Sequence, residues 1–182
     1  MTRQLDSRTC IKPARFAHFV LRVHDLQRSI DWYATMLGME VVHRNDAVAF
    51  MTYDEEHHRI ALVKTPVESV APPGAAGLDH VAYTFESLGD LLGSYLRLKE
   101  EGILPVWSVN HGPTTSLYYA DPDGCRVELQ VDNYETEEDL KAFMKTESFL
   151  ANPIGVGFDP DVLVRRYEAG DPLERLIEQG SA

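Results

Sequence analysis

The sequence predicts an α+β fold: two paired βαβββ modules sharing a curved mixed sheet, plus a helical C-terminal tail. Three observations lead there. A strand-then-helix pattern occurs twice at a fixed offset, and the segments 50–62 and 117–129 align without a gap. A stretch without periodicity, "VESVAPPGAAG" (67–77), separates the two copies.

The first copy opens with "AHFVLRVHDLQRSIDWYATMLG" (17–38), in which Leu26, Ile30, Tyr33 and Leu37 recur at helical spacing. Asp25 suits an N-cap, and Gly38 follows the last apolar residue. "LDHVAYTFESLGDLLGSYLRLKEEG" (78–102) repeats this pattern. Leu88, Leu92 and Tyr95 lie 62 residues after Leu26, Ile30 and Tyr33, and His80 falls on His18 at the same offset. Further along, "FMTYDEEHHRIAL" (50–62) overlays "LYYADPDGCRVEL" (117–129), matching Asp54 to Asp121, Arg59 to Arg126 and Leu62 to Leu129. The modules therefore span about 15–70 and 77–133, within a domain of residues 1–133. Repeats too small to bury their own apolar face are expected to pair.

Residues 134–182 form the C-terminal helical extension. "TEEDLKAFMKT" (136–146) and "DPDVLVRRYEAG" (159–170) suit two short helices. Eleven acids against five bases put half of the net charge of −12 here. This tail is expected to lie over the core or a neighbouring subunit and to contribute no site.

The acidic balance disfavours nucleic acid and anionic membranes, which reward Lys and Arg patches. No run approaches the roughly 18 apolar residues of a membrane span. The start, "MTRQLDSRTC", has no apolar h-region. Cys10 and Cys125 are far apart and outside any CxxC, which suits a reduced, cytoplasmic setting.

"DPDG" (121–124) has the residue types of a type I turn. With Gly124 at positive φ it becomes a three-residue hairpin loop with a glycine bulge. In that register Tyr118 faces Glu128, and Ser116, Tyr118, Arg126, Glu128 and Gln130 share one face. Cys125, Val127, Leu129 and Val131 take the other. A carboxylate on such a face is commonly solvated or paired with Arg. The repeat changes that balance, because His18 and His80 read as mid-strand residues at matching positions of two paired modules. Two His and one Glu128 carboxylate form the ligand set of non-haem Fe(II) oxygenases, with open positions opposite. The first-module counterpart of Glu128 is Ala61, which cannot ligate.

These residues together resemble the vicinal oxygen chelate superfamily: glyoxalase I, bleomycin-resistance proteins and type I extradiol dioxygenases. "VNHGPTTSLYYADPDGCRVE" (109–128) is similar to the extradiol signature of a His, a spacer, Leu-Tyr, Asp-Pro-x-Gly and a ligand Glu. Residues 15–133 resemble the catalytic half of two-domain enzymes, and the whole chain resembles a single-domain relative whose tail carries a segment like "ANPIGVGFDP" (151–160). The resemblance implies Fe(II) held by His18, His80 and Glu128, with Mn(II) accepted by the same donors. It implies His111 and Tyr118 at the substrate hydroxyls, and His58 beside the O₂ position. Simple alternation would put His57, not His58, on the face of Ala61. The implied reaction opens the ring of a catechol-type substrate with O₂, next to its two hydroxyls, and a homo-oligomer is expected. His24 and His43 read as surface residues. Trp107, Phe50 and Met51 suit either the pocket wall or the core. A glyoxalase-like lyase or isomerase, and a binding protein without redox chemistry, are the competing readings.

Overall fold

The computed structural model describes residues 10, 12–66 and 76–182. The N-terminal decamer apart from Cys10, and most of the segment read as a linker, lie outside the described residues. The chain forms two compact units, 1–67 and 68–182.

In the first unit, β1 (Phe19–Val23) leads into α1 (Leu26–Leu37), followed by β2 (Glu40–Arg44), β3 (Val48–Thr52) and β4 (Ile60–Lys64). The helix starts where Asp25 accepts a hydrogen bond from the Arg28 amide at 3.0 Å. It stops at Gly38, whose φ of +66° lets its amide donate to the Ala34 carbonyl. Its apolar stripe, Leu26, Ile30, Tyr33 and Met36, is buried, as are Met51, Ile60 and Leu62 of the sheet it covers. The sheet order is β1-β4-β3-β2, with β1 parallel to β4 and the other pairs antiparallel.

The second unit repeats this with β5 (His80–Phe85), α2 (Leu88–Glu100), β6 (Trp107–Asn110), β7 (Thr114–Ala120) and β8 (Arg126–Asp132). Ser87 caps α2 by accepting from the Asp90 amide. Leu117, Tyr119, Val127, Leu129 and Val131 are buried on the helix side, together with Leu91, Tyr95 and Leu98. The expected turn is present: Gly124 has φ +86°, its amide donates to the Asp121 carbonyl, and the Asp121 amide donates to the Cys125 carbonyl. The Asp121 side chain accepts from the amides of Asp123 and Cys125, which spends this carboxylate on the turn. Tyr118 pairs with Glu128 and Ala120 with Arg126, the register of the bulged loop.

The tail is richer than its sequence suggests. Besides α3 (Glu137–Phe143) and α5 (Pro160–Glu168) it contains α4 (Glu147–Ala151), strand β9 (Val156–Gly157) and α6 (Leu173–Leu176). These three are too short for any periodicity to show. The segment docks on the second unit's sheet, whose order is β5-β8-β7-β6-β9. Asp161 accepts from the Tyr95 hydroxyl at 2.8 Å and from Lys99 Nζ at 2.6 Å. The Asn110 side chain donates to the Ile177 carbonyl, and Gln179 donates back to the Asn110 carbonyl. Among the described residues, no helix is long and apolar enough to cross a membrane.

The two thiols differ in a way that labelling can read. Cys10 is exposed. Burial and then the Asp121 charge push the Cys125 thiol up to about 11. Only roughly one part in a thousand of Cys125 is then thiolate at pH 8, and the thiolate is the nucleophile. Native protein treated with a disulfide reagent at pH 8 is expected to release one equivalent fast and a second much more slowly. Cys10→Ser should remove the fast phase.

Candidate active site

The strand pairings confirm the internal repeat at residue level. Val20 pairs with Ala61 in the first unit, and Ala82 pairs with Glu128 in the second. Both pairs carry the offsets seen in the sequence, so Ala61 does occupy the position of Glu128. The gapless overlay fails one strand further on. Phe50 lies opposite Ala61, whereas Tyr118 lies opposite Glu128. Ten residues (51–60) separate the first pair and nine (119–127) the second. The second hairpin turns tightly on Gly124, while "TYDEEHHR" (52–59) has no glycine and takes one residue more. Phe50 is therefore the counterpart of Tyr118, and the first unit lacks both the phenol and the carboxylate.

His18 and His80 are not mid-strand. His18 immediately precedes β1 and is exposed, and His80 is the first residue of β5 and half-buried. The two positions remain equivalent in the repeat, each at the N-terminal end of the strand that leads into its unit's helix.

In the second unit, three side chains meet on the sheet face opposite the core. Glu128 is buried at 4% exposure, and its Oε2 lies 3.0 Å from His80 Nε2. His80 Nδ1 lies 2.7 Å from Asp79 Oδ2, and Asp79 is also paired with Arg126. His80 and then Arg126 hold the Asp79 carboxyl below its ordinary range, so it is an anion that only accepts. His80 Nδ1 is thus the donor, and a neutral His80 turns its Nε2 lone pair toward the Glu128 carboxylate. Two lone pairs 3.0 Å apart need a cation between them, a proton or a metal ion. Adjacent ligands about 2.1 Å from one ion show this separation at roughly a right angle. A carboxylate that orients a metal-binding His through its far nitrogen is the usual outer arrangement of such sites. In the sequence, the one signal that marks Asp79 is its place beside His80. The donors of this unit therefore fit a divalent cation. Among the described residues, no cluster of three or more His, Cys, Asp or Glu comes together to hold one, and His18 belongs to the other unit.

Tyr118, buried at 3% exposure, adjoins this pair. Its hydroxyl is 3.0 Å from His111 Nε2. Burial, then the charge of Glu128 and a hydrogen bond to it, push the phenol well above its ordinary range. Tyr118 stays protonated, and its hydroxyl lies between His111 Nε2 and the Glu128 carboxylate. Trp107 stacks on the Tyr118 ring at 4.8 Å and meets His111 edge-on at 5.7 Å. With 37% exposure it is a wall beside these groups and not core. Met51 is fully buried core.

In the first unit, His58 lies 4.2 Å from His18 between ring centroids and stacks on Phe50 at 4.8 Å. His57 is 6.2 Å from His18 and exposed. The longer hairpin loop brings His58 to the face of Phe50, contrary to simple alternation, because regular β4 begins only at Ile60. Burial, then the neighbouring His18 and His57, hold the His58 imidazole below its ordinary range, so it is neutral at pH 7. His43 is exposed as expected, but His24 is half-buried at the end of β1, where its Nε2 is shielded from water.

A family model described as Glyoxalase/Bleomycin resistance protein/Dioxygenase superfamily matches residues 15–129. The chain belongs to this superfamily. Within it, the chain is 47% identical over 164 residues to biphenyl-2,3-diol 1,2-dioxygenase 2 of Rhodococcus globerulus, covering 89% of this chain and 86% of that one. It is 46% identical to biphenyl-2,3-diol 1,2-dioxygenase 3 of the same organism, covering 92% and 90%. Among solved structures, a glyoxylase/bleomycin resistance protein/dioxygenase domain from Frankia sp. EAN1pec aligns with a TM-score of 0.56 at 23% identity, over 66% of this chain and 99% of that one. At that identity the likeness speaks for the superfamily fold alone. The coverage by the Rhodococcus proteins extends beyond the superfamily domain into the C-terminal extension.

Proposed function

We propose that this protein is an extradiol ring-cleavage dioxygenase that opens a catechol-type substrate with O₂. The carrying observation is the line His111–Tyr118–Glu128–His80 on one sheet face, in a chain close in sequence to two biphenyl-2,3-diol 1,2-dioxygenases. His18, His80 and Glu128 would hold Fe(II), with Mn(II) accepted by the same nitrogen and oxygen donors. Bound there, the metal supplies the redox chemistry that lets O₂ react with the ring.

The chain's own residues do the rest. A diol must give up hydroxyl protons as it binds, and His111 Nε2 would be the base that takes one. The Tyr118 hydroxyl, shared between His111 and Glu128, can pass a proton between substrate and His111 without ionising itself. Trp107 would offer an apolar wall to the substrate ring. Asp79 keeps the His80 lone pair aimed at the site. Neutral His58 would offer an N–H to negative charge developing on oxygen. Residues 1–133 would form the catalytic domain and 134–182 its extension. A cytoplasmic setting and homo-oligomerisation belong to the same reading; the free thiols and the exposed Val41 and Val42 on strand β2 are compatible with them.

Anaerobic Fe(II) loading followed by an oxygen-electrode screen of monocyclic and bicyclic catechols tests the reading. Equimolar consumption of O₂ and diol with a yellow ring-fission product is expected. Iron-loaded protein that consumes no O₂ with any catechol would overturn it. Metal-dependent turnover of a glutathione hemithioacetal would indicate a lyase instead.

A further inference from the structure

The C-terminal segment reaches the site through a backbone atom. His111 Nδ1 makes a short hydrogen bond with the carbonyl oxygen of Ile154. A carbonyl can only accept, so Nδ1 carries the proton, and in a neutral ring Nε2 is then the acceptor. Nε2 is the atom that faces the Tyr118 hydroxyl.

Three features build this contact. β9 pairs antiparallel with β6 in the register Asn110 to Val156, which sets Gly155 alongside His111 when continued by one residue. Gly155 has φ +102°, and a Cβ there would meet the Asn110 carbonyl oxygen at 2.2 Å and His111 Cα at 2.6 Å. Only glycine lets the two backbones come this close. Asn152 clamps the turn, accepting from the Gly155 amide at 3.1 Å and donating to the Gly155 carbonyl at 2.8 Å. The Ile154 side chain is 62% exposed, so its contribution here is the carbonyl and not its apolar surface.

We propose that the Ile154 carbonyl, delivered by the C-terminal segment, is the positioning group that holds His111 in its Nδ1–H form and so keeps Nε2 as the proton-accepting atom toward Tyr118. This rests on the role given to His111 above. The tail, expected to contribute no site, thereby completes one.

The test separates the two claims. Two-bond ¹⁵N–¹H spectra of the full-length, iron-free protein, with His111 assigned by His111→Gln, read the tautomer without any turnover. Wild type is expected to show the Nδ1–H pattern. Asn152→Ala loosens the clamp without demanding space and should mix the two tautomers. Gly155→Ala should do so more strongly, provided it folds. Gly170→Ala is the control: it is also left-handed and in the tail, but a Cβ there meets nothing within 4 Å, so His111 should be unchanged. In the iron-loaded protein, Asn152→Ala should lower kcat roughly 10- to 100-fold, the usual weight of an outer partner, with KM little changed. A wild-type Nε2–H pattern would overturn the proposal. So would an unaltered Nδ1–H pattern in Asn152→Ala and folded Gly155→Ala, or the same loss in Gly170→Ala. Full turnover by His111→Ala would instead remove the base role while leaving the tautomer result to decide the contact.

Discussion

Glu128→Gln is expected to strip iron from the protein and abolish ring cleavage while the fold survives. Gln has the same shape and can still bond Tyr118, so the buried position keeps its packing. What is lost is the anion. His80 Nε2, 3.0 Å away, then faces a neutral amide that donates as readily as it accepts. Two imidazoles alone hold a divalent ion poorly, and the loss should exceed the roughly 10- to 100-fold typical of removing an outer partner. Asp79→Asn supplies that smaller reference, since it only frees His80 to rotate or change tautomer. Iron per chain by elemental analysis and circular dichroism measure both. Glu128→Gln that is folded and carries wild-type iron would remove Glu128 from the ligand set, and His80→Ala with wild-type iron would remove His80.

His111→Ala is expected to keep iron and lose turnover by roughly 10²- to 10⁴-fold, the weight of a positioned proton-transfer group. The structure gives the reason that iron should stay: His111 touches Tyr118 and the Ile154 carbonyl, one step removed from the Glu128–His80 pair. Tyr118→Phe is the informative partner. It deletes the phenol shared between His111 and Glu128 but preserves the ring that stacks on Trp107 at 4.8 Å. A loss in kcat with little change in KM is expected, because the Tyr118 ring and its stacking on Trp107 remain. If the double variant is no slower than His111→Ala alone, the two act as one proton path. Independent, additive losses would show that Tyr118 serves the substrate separately.

Much of this protein was legible in the chain itself, because the signals are local. Helical spacing placed α1, and it marked the start and the buried stripe of α2. Asp25 and Gly38 marked the ends of α1 by capping chemistry that needs no tertiary contact. The Asp-Pro-Asp-Gly turn set the hairpin register, and with it the pairing of Tyr118 with Glu128. The repeat located His80 by its likeness to His18, and Ala61 by its likeness to Glu128. Other features depend on groups that carry no residue signature. The extra residue in the first hairpin makes Tyr118, not Leu117, the repeat counterpart of Phe50, and lifts His58 onto the Phe50 face. That required knowing where a glycine-free loop closes. Asp79 gained its role only when β5 and β8 aligned and set Arg126 beside it. The Ile154 carbonyl is a backbone atom, identical in every residue, and its partner lies 43 positions earlier. Composition and periodicity report side chains and near neighbours. Which backbone oxygen meets which imidazole is decided by docking of the tail, and that is a property of the folded chain alone.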